Sequence, residues 1–365
     1  MFNTPSMKEI NQIKQNNYNV ISTFSGCGGS SLGYKMAGYK VLWANEFIPA
    51  AQETYRANHK STFLNTKDIR SVTGEMIKNE ARVNEIDIFD GSPPCASFSM
   101  SGQREKLWGE VKKYSDTKQR VDDLFFEYTR LIKELKPKIC IAENVAGLTF
   151  GKAKTEVLGQ NQYDMFNSQE KTILYQIEQH GYNVSYRILN AKDFGVAQNR
   201  PRIFIVGVRN DLNLSPSFPL PLNKKHATFK DVVKDLIQTE DEIKESLIDP
   251  KYEVYKYILK LKPGECGSDY HKTGSYFNLK RMEWDKPCGT ILQMEGGPSV
   301  ACGHIHPERN GKLTIKELKR LQGFPDDFKL TGSFQQKWER IGRSVAPPVM
   351  YYLSKTIKNN VLDKS

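Results

Sequence analysis

The chain has 365 residues, 38% hydrophobic, 26% charged and 11% aromatic, the composition of a folded globular protein rather than a disordered or fibrous one. Lys plus Arg outnumber Asp plus Glu by 53 to 42, a net charge of +11, which favours a polyanionic partner without identifying it. No apolar run reaches membrane-spanning length and the polar N-terminal stretch lacks the centre of a secretory signal, so a cytoplasmic protein with no membrane contact is expected; six scattered cysteines argue against a disulfide framework or a zinc ribbon.

In the first half, short apolar runs alternate with helical stretches, the pattern of a parallel sheet covered on both faces. Strands are predicted over 20–24, 41–46, 86–89 and 139–144. Directly after the first comes FSGCGGSSLG (24–33), a glycine-rich turn opening a helix. Gly26, Gly28 and Gly29 allow the backbone to approach a ligand, and Glu46 at the tip of the next strand can accept hydrogen bonds from ribose hydroxyls. Gly28 and Gly29 are adjacent and Ser31 stands where a third glycine would be, a departure from the GxGxxG of dinucleotide sites. A tight turn without a ligand is the alternative.

DGSPPCASFS (90–99) follows the third strand at its carboxyl end, where open parallel sheets place their ligand crevice. Pro93 and Pro94 stiffen the chain ahead of Cys95, which is either a nucleophile or a small buried apolar residue. A helix is predicted over 121–135, where Val121, Leu124, Phe125, Tyr128, Leu131, Ile132 and Leu135 form one face and Pro137 ends it. AENVAGL (142–148) puts Glu143 on the same edge of the sheet as Glu46 and Cys95, unless it is a solvated or capping residue. A helix over 170–180 and strands over 184–189 and 202–208 follow, the strands joined by a loop holding QNRPR (198–202). Arg200 and Arg202 there share a face if the segment is extended, with an ordinary basic turn as the alternative.

From 209 to about 310 the texture is irregular, marking a second domain. Thr314 and Glu317 form a capping-box signature for a helix that Gly323 stops, and a last helix begins after Pro347 and Pro348. The division expected is one domain of 1–208 plus 335–365 and a second of 209–334. Cys302, His304 and His306 lack a fourth ligand nearby, so no metal is expected.

In this order the segments resemble the DNA (cytosine-5) methyltransferase family, from about residue 18 to 358. FSGCGG looks like its cofactor loop, PPC its nucleophile motif, ENV its acid motif and QNRPR its QxRxR segment; RLQGFPDDF (320–328) and GRSVAPP (342–348) look like its two closing motifs. The resemblance implies a Rossmann-like α/β methyltransferase fold with a smaller, irregular target-recognition domain. It also implies transfer of a methyl group from S-adenosylmethionine to carbon 5 of cytosine, within a specific sequence of double-stranded DNA and on a flipped-out base.

The chemistry explains the residue types. Carbon 5 is too weakly nucleophilic to take a methyl group until a nucleophile adds at carbon 6, and a thiolate suits that addition. By resemblance Cys95 is that nucleophile, Glu143 the acid at ring nitrogen 3, Arg202 the partner of the exocyclic oxygen, and Arg200 a neighbour that favours the Cys95 thiolate. Phe24, Gly26, Cys27, Gly28, Gly29, Glu46, Phe47, Asp68, Ile69, Pro93, Ser344 and Val345 would bind the cofactor, and the charged stretch 100–120 would close over DNA. A monomer is expected, with a cognate restriction endonuclease of the same system as an unattached partner. Ala96, Arg343 and Gly311 depart from the family's usual Gln, Asn and Arg. Two other readings stay open, an RNA cytosine-5 methyltransferase and a catalytically inactive DNA-binding module; a dehydrogenase is contradicted by the GCGG spacing.

Overall fold

The computed structural model describes residues 2–94, 111–121, 123–146, 152–155, 160–164, 173–297 and 303–365, with 112–114, 152–155 and 160–164 as backbone only. Cys95, Ala96, Cys302 and residues 100–110 of the charged stretch lie outside the described residues. The chain divides into two compact units. One holds Ile13–Leu189, Pro201–Leu220 and Met350–Ser365; the other holds Met1–Gln12, Asn190–Arg200 and Pro221–Val349.

The first unit is built on a seven-stranded sheet. In chain order its elements are β1 (Asn19–Thr23), α1 (Gly29–Met36), β2 (Lys40–Asn45), α2 (Pro49–Asn58), β3 (Phe63–Asn65), α3 (Gly74–Ala81), β4 (Ile88–Gly91), α4 (Leu124–Leu135), β5 (Ile139–Val145), α5 (Ile173–Gln179), β6 (Tyr182–Asn190) and β7 (Pro201–Arg209). The strand order is β6-β7-β5-β4-β1-β2-β3. Strands β1 to β5 pair in parallel, as the alternating pattern predicts. Strand β7 departs from it by running antiparallel to β5. The chain enters β7 from residues 191–200, which hold a 3-10 turn and no helix; a parallel crossover needs about a dozen residues or more.

The order reverses at β1, whose neighbours are β2 on one side and β4 on the other, so a crevice opens at the carboxyl ends of β1 and β4. One face of the sheet is sealed by α4. Its Leu124, Phe125, Tyr128, Leu131, Ile132 and Leu135 pack into a cluster with Ile21, Phe89, Ala142 and Ile203. The helix starts three residues later than the periodicity suggests, Val121 being buried ahead of it, and ends at Lys136 in a left-handed conformation (φ 48). Tyr128 stacks on Phe89 with ring centroids 5.0 Å apart and donates its hydroxyl to the Ile141 carbonyl at 2.7 Å. That close packing demands Gly91, since a β-carbon there would lie 2.7 Å from both the Tyr128 ring and Thr23 Oγ1.

The second unit has a small core of its own, with Ile248, Val254, Ile258, Leu261, Leu279 and Ile305 buried together. The predicted capping box is present: Thr314 N donates to Glu317 Oε2 at 2.9 Å and Glu317 N to Thr314 Oγ1 at 3.3 Å. The helix it opens, Ile315–Gln322, stops at Gly323 with φ 79. Residues 190–200 and 335–349, which the sequence groups with the catalytic portion, pack in this unit.

Candidate active site

Strand register gathers the chemistry on one face. Ser22 pairs with Asp90, Asp90 with Ile141, and Glu143 with Phe204. Alternation along each strand therefore puts Ser22, Asp90, Glu143 and Arg202 on the face opposite the α4 cluster. Glu143 and Arg202, which the sequence expects at one site, form an ion pair: Arg202 Nε lies 3.3 Å from Glu143 Oε1, with side chains 15% and 9% exposed. Burial pulls the Arg202 guanidinium below its ordinary value, and the Glu143 carboxylate opposes that pull.

The neighbouring residue Asn144 has a role that sequence reasoning missed. Its Nδ2 donates to the Pro93 carbonyl at 3.0 Å, while its Oδ1 accepts from Val145 N at 2.8 Å. Pro93 is buried, so the strand carrying the acid also fixes the chain two residues before Cys95. The signal was present in the sequence, a strand-end Asn beside the Glu, but its partner lies 51 residues away. Asp90 was also passed over. It is a charged residue inside the apolar run IDIFD, 1% exposed, and its carboxylate accepts from Ser30 Oγ at 2.8 Å, Ser22 Oγ at 3.1 Å and Tyr34 Oη at 3.2 Å.

The glycine-rich turn sits at the end of β1. Phe24 (φ 52), Gly26 (φ 56) and Gly28 (φ 91) all lie in the left-handed region, which the glycines adopt freely and which strains Phe24, as residues at ligand sites often are. A β-carbon on Gly26 would meet nothing within 4 Å, so the turn has an open side there. Gly28 is the reverse case, because a β-carbon would fall 2.1 Å from Nε2 of His59. His59 is buried and packed against Tyr55 with ring centroids 4.4 Å apart, leaving it no room to yield. Gly28→Ala is expected to cost about 3 kcal/mol from left-handed strain and overpacking together, read as a lowered thermal midpoint and loss of cofactor binding by calorimetry; an unchanged midpoint would contradict the packing.

Glu46 stands where the sequence puts it. Oε2 accepts from Gly26 N at 2.7 Å and Oε1 from Ile48 N at 2.7 Å, so the carboxylate fastens the turn to the tip of β2. Cys27 is buried, and Gln52 Nε2 donates to the carbonyls of Glu46 and Phe47, shaping the same corner. Asp68 caps a 3-10 turn, accepting from Arg70 N at 3.0 Å, and Ile69 is buried behind it. Arg70 also bonds the Asp68 carboxylate and, at 2.6 Å, Asp123 at the start of α4.

The remaining expected residues belong to the second unit. Arg200 is buried and donates to three carbonyls, Ile291 at 3.1 Å, Gly342 at 2.9 Å and Ser344 at 3.0 Å. The Ser344 carbonyl also accepts from Gln322 at 2.8 Å, and Val345 is buried. Arg343 pairs with Glu339 on its own helix at 2.6 Å. Of the loop histidines, His304 Nδ1 lies 2.9 Å from Glu295 Oε2, and His306 Nδ1 accepts from Glu308 N and Arg309 N at 3.1 Å.

Comparison with known proteins bears on the family and the fold. The family model for C-5 cytosine-specific DNA methylases matches residues 18–359. The Type II methyltransferase M.FnuDI of Fusobacterium nucleatum is 32% identical over 377 residues, covering 94% of this chain and 95% of that protein. The Type II methyltransferase M.NgoPII of Neisseria gonorrhoeae is 31% identical, covering 97% and 99%. Among solved structures, a candidate DNA modification methyltransferase encoded within an E. coli prophage superposes with a TM-score of 0.71 at 23% identity, covering 95% of this chain and all of that one. The Spodoptera frugiperda DNMT2 structure gives 0.64 at 17% identity, covering 93% and 99%. At these identities the structures speak for the fold alone.

Proposed function

The chain belongs to the C-5 cytosine-specific DNA methylase family, and from that premise we propose that Cys95, Glu143 and Arg202 form the reaction centre and that the turn at 24–29 with Glu46 holds S-adenosylmethionine. The enzyme is a cytosine-5 DNA methyltransferase of the kind found in restriction-modification systems. The observation that carries the site assignment is the buried Glu143–Arg202 pair, with the adjacent Asn144 fastening Pro93.

The residues fit the cofactor. The open side at Gly26 admits a ligand against backbone, and the Glu46 carboxylate stands at that turn, where it would meet the ribose hydroxyls. When bound, S-adenosylmethionine supplies an electrophilic methyl group. Cys95 as thiolate adds to carbon 6 of cytosine, and electron density moves toward ring nitrogen 3, where Glu143 delivers a proton. Arg202 holds Glu143 in place and donates to the exocyclic oxygen. Once carbon 5 carries the methyl group, its proton leaves to water, the ring double bond re-forms as the Cys95 thiolate departs, and the nitrogen 3 proton returns to Glu143. Asp68, Ile69 and Phe24 would flank the adenine side.

Residues 209–334 are proposed to read the target sequence, and the net charge of +11 supports DNA binding through phosphates. Described residues 111–121 include a hairpin, Lys112–Tyr114 with Thr117–Gln119, that carries Lys112, Lys113 and Lys118. We place the protein in the cytoplasm as a monomer; among the described residues no helix is long and apolar enough to cross a membrane. An RNA substrate or an inactive module is not favoured, the full-length relatives being Type II methyltransferases. Purified protein with labelled S-adenosylmethionine should label duplex DNA, with bisulfite sequencing placing the mark on cytosines of one short sequence. Label in RNA alone, or none, would overturn the reading.

A further inference from the structure

Arg70 closes the KDIR segment and has no task in the reaction as described, yet its guanidinium joins two segments that the proposed function gives to different ligands. We propose that Arg70 is a positioning residue that couples them: it ties the turn on the adenine side to the chain that follows the basic hairpin, so that cofactor and DNA each bind more tightly when the other is present. The inference rests on the readings of Asp68 and Ile69 as cofactor contacts and of the hairpin as a DNA contact.

The donors of Arg70 are divided between the two segments. On one side Nη1 donates to Asp68 Oδ2 at 3.0 Å and to Oδ1 at 3.2 Å, beside the bond from Arg70 N to the same carboxylate. On the other, 53 residues away in sequence, Nη2 and Nε take the two oxygens of Asp123 at 2.6 and 3.2 Å. Nη2 also donates to the Arg120 carbonyl at 2.7 Å. The forked contact to Asp123 fixes the plane of the guanidinium as well as its position, which a lysine could not do. Arg120 directly follows the hairpin strand Thr117–Gln119, where Lys118 is exposed. One side chain therefore touches both the cofactor turn and the end of the hairpin.

The turn itself is stiff. Arg130 on α4 donates through Nη2 to the carbonyls of Ile69 at 3.1 Å and Val72 at 2.9 Å, and is held in turn by Glu127 at 2.8 Å and Glu134 at 2.7 Å. Glu134 Oε2 accepts from Gly74 N at 2.7 Å, while Ile69 and Val72 are buried in the α4 cluster. A shift of the turn is thus passed on to Arg70 rather than absorbed. Asp123 gives a second reason. It stands at the cap position of α4, where a carboxylate ordinarily bonds the helix amides, but its side chain makes no capping bond and is turned to Arg70. The three side chains are between 25% and 35% exposed, a setting in which ion pairs add little to stability. Fold stability alone does not select this arrangement; a link between two binding segments does.

The test uses the full chain, S-adenosylhomocysteine and a duplex holding the mapped target. Calorimetry gives the affinity for S-adenosylhomocysteine with and without duplex, and fluorescence anisotropy the affinity for duplex with and without S-adenosylhomocysteine. Each should tighten the other by one common factor, roughly tenfold, because coupling is reciprocal. Asp123→Ala keeps the Asp68–Arg70 contact and breaks the link, so S-adenosylhomocysteine alone should bind nearly as in the wild type while the factor falls toward one. Arg70→Met should lower the factor likewise, Arg70→Lys should not restore it, and the double variant Asp123→Ala with Arg70→Met should lower it no further. A merely structural role would weaken binding or lower the thermal midpoint and leave the factor unchanged. A factor of one in the wild type, or the wild-type factor in folded Asp123→Ala and Arg70→Met proteins, would overturn the proposal; if one variant fails to fold, the other decides. Two further measurements separate the readings beneath it. Unchanged S-adenosylhomocysteine affinity in Asp68→Ala sinks the cofactor reading of the turn, and unchanged duplex affinity in the combined Lys112→Glu, Lys113→Glu, Lys118→Glu protein sinks the DNA reading of the hairpin. Losses in both, with an unmoved factor in Asp123→Ala, sink only the coupling.

Discussion

Cys95→Ser is expected to reduce methyl transfer to duplex DNA by on the order of 10⁴-fold or more while folding and cofactor binding persist. A thiol is partly ionised near neutrality and its thiolate is a strong, polarizable nucleophile, whereas a serine hydroxyl without an adjacent base is neither. The other cysteines described in the sheet unit are poor substitutes. Cys27 and Cys140 are buried, and burial pushes the Cys140 thiol up to about 12, which leaves it inert. In the second unit Cys288 is likewise buried and raised above the ordinary thiol range. A duplex with 5-fluorocytosine at the mapped target provides the direct measurement. Fluorine at carbon 5 cannot leave as a proton, so the enzyme should be trapped as a covalent adduct whose peptide map ends at Cys95. An adduct on any other cysteine would remove the basis of the mechanism.

How far the sequence could be read follows from whether each feature is local. Runs such as VISTF and ICIAEN are legible because strands buried on both faces need continuous apolar residues, and β1 and β5 lie within a residue or so of the predicted spans. The Thr314–Glu317 box is legible because its two hydrogen bonds close over three residues. The three-residue β3, with Phe63 exposed, carries too few positions to show a period. Register is the decisive thing that cannot be read, since a shift of one residue sends every side chain to the other face. Thus Glu143 and Arg202 could be named as candidates from their motifs, but not their pairing, nor the presence of Asp90 on their face. Long-range carbonyl acceptors are equally hidden. Arg200 stands in a motif that suggests catalysis, yet it donates to carbonyls 91, 142 and 144 residues away.

Glu143→Gln is expected to lower transfer by about 10³-fold, within the range for loss of a general acid, and to destabilise the fold as well. Both effects come from the same pair. The amide cannot give a proton to ring nitrogen 3, and it leaves the Arg202 guanidinium, 15% exposed, without its counter-charge; removing one partner of a buried pair costs about 3 kcal/mol or more. Thermal unfolding should show that loss as a lowered midpoint. The double variant Glu143→Gln with Arg202→Met separates structure from chemistry, because an apolar replacement of similar volume removes the stranded charge. Stability should then recover in part, by the logic that buried ion pairs and apolar packing are near equivalents, while transfer stays at or below the level of the single variant. Recovery of transfer along with stability would mean that the pair serves the fold, and that the proton reaching the cytosine ring comes from elsewhere.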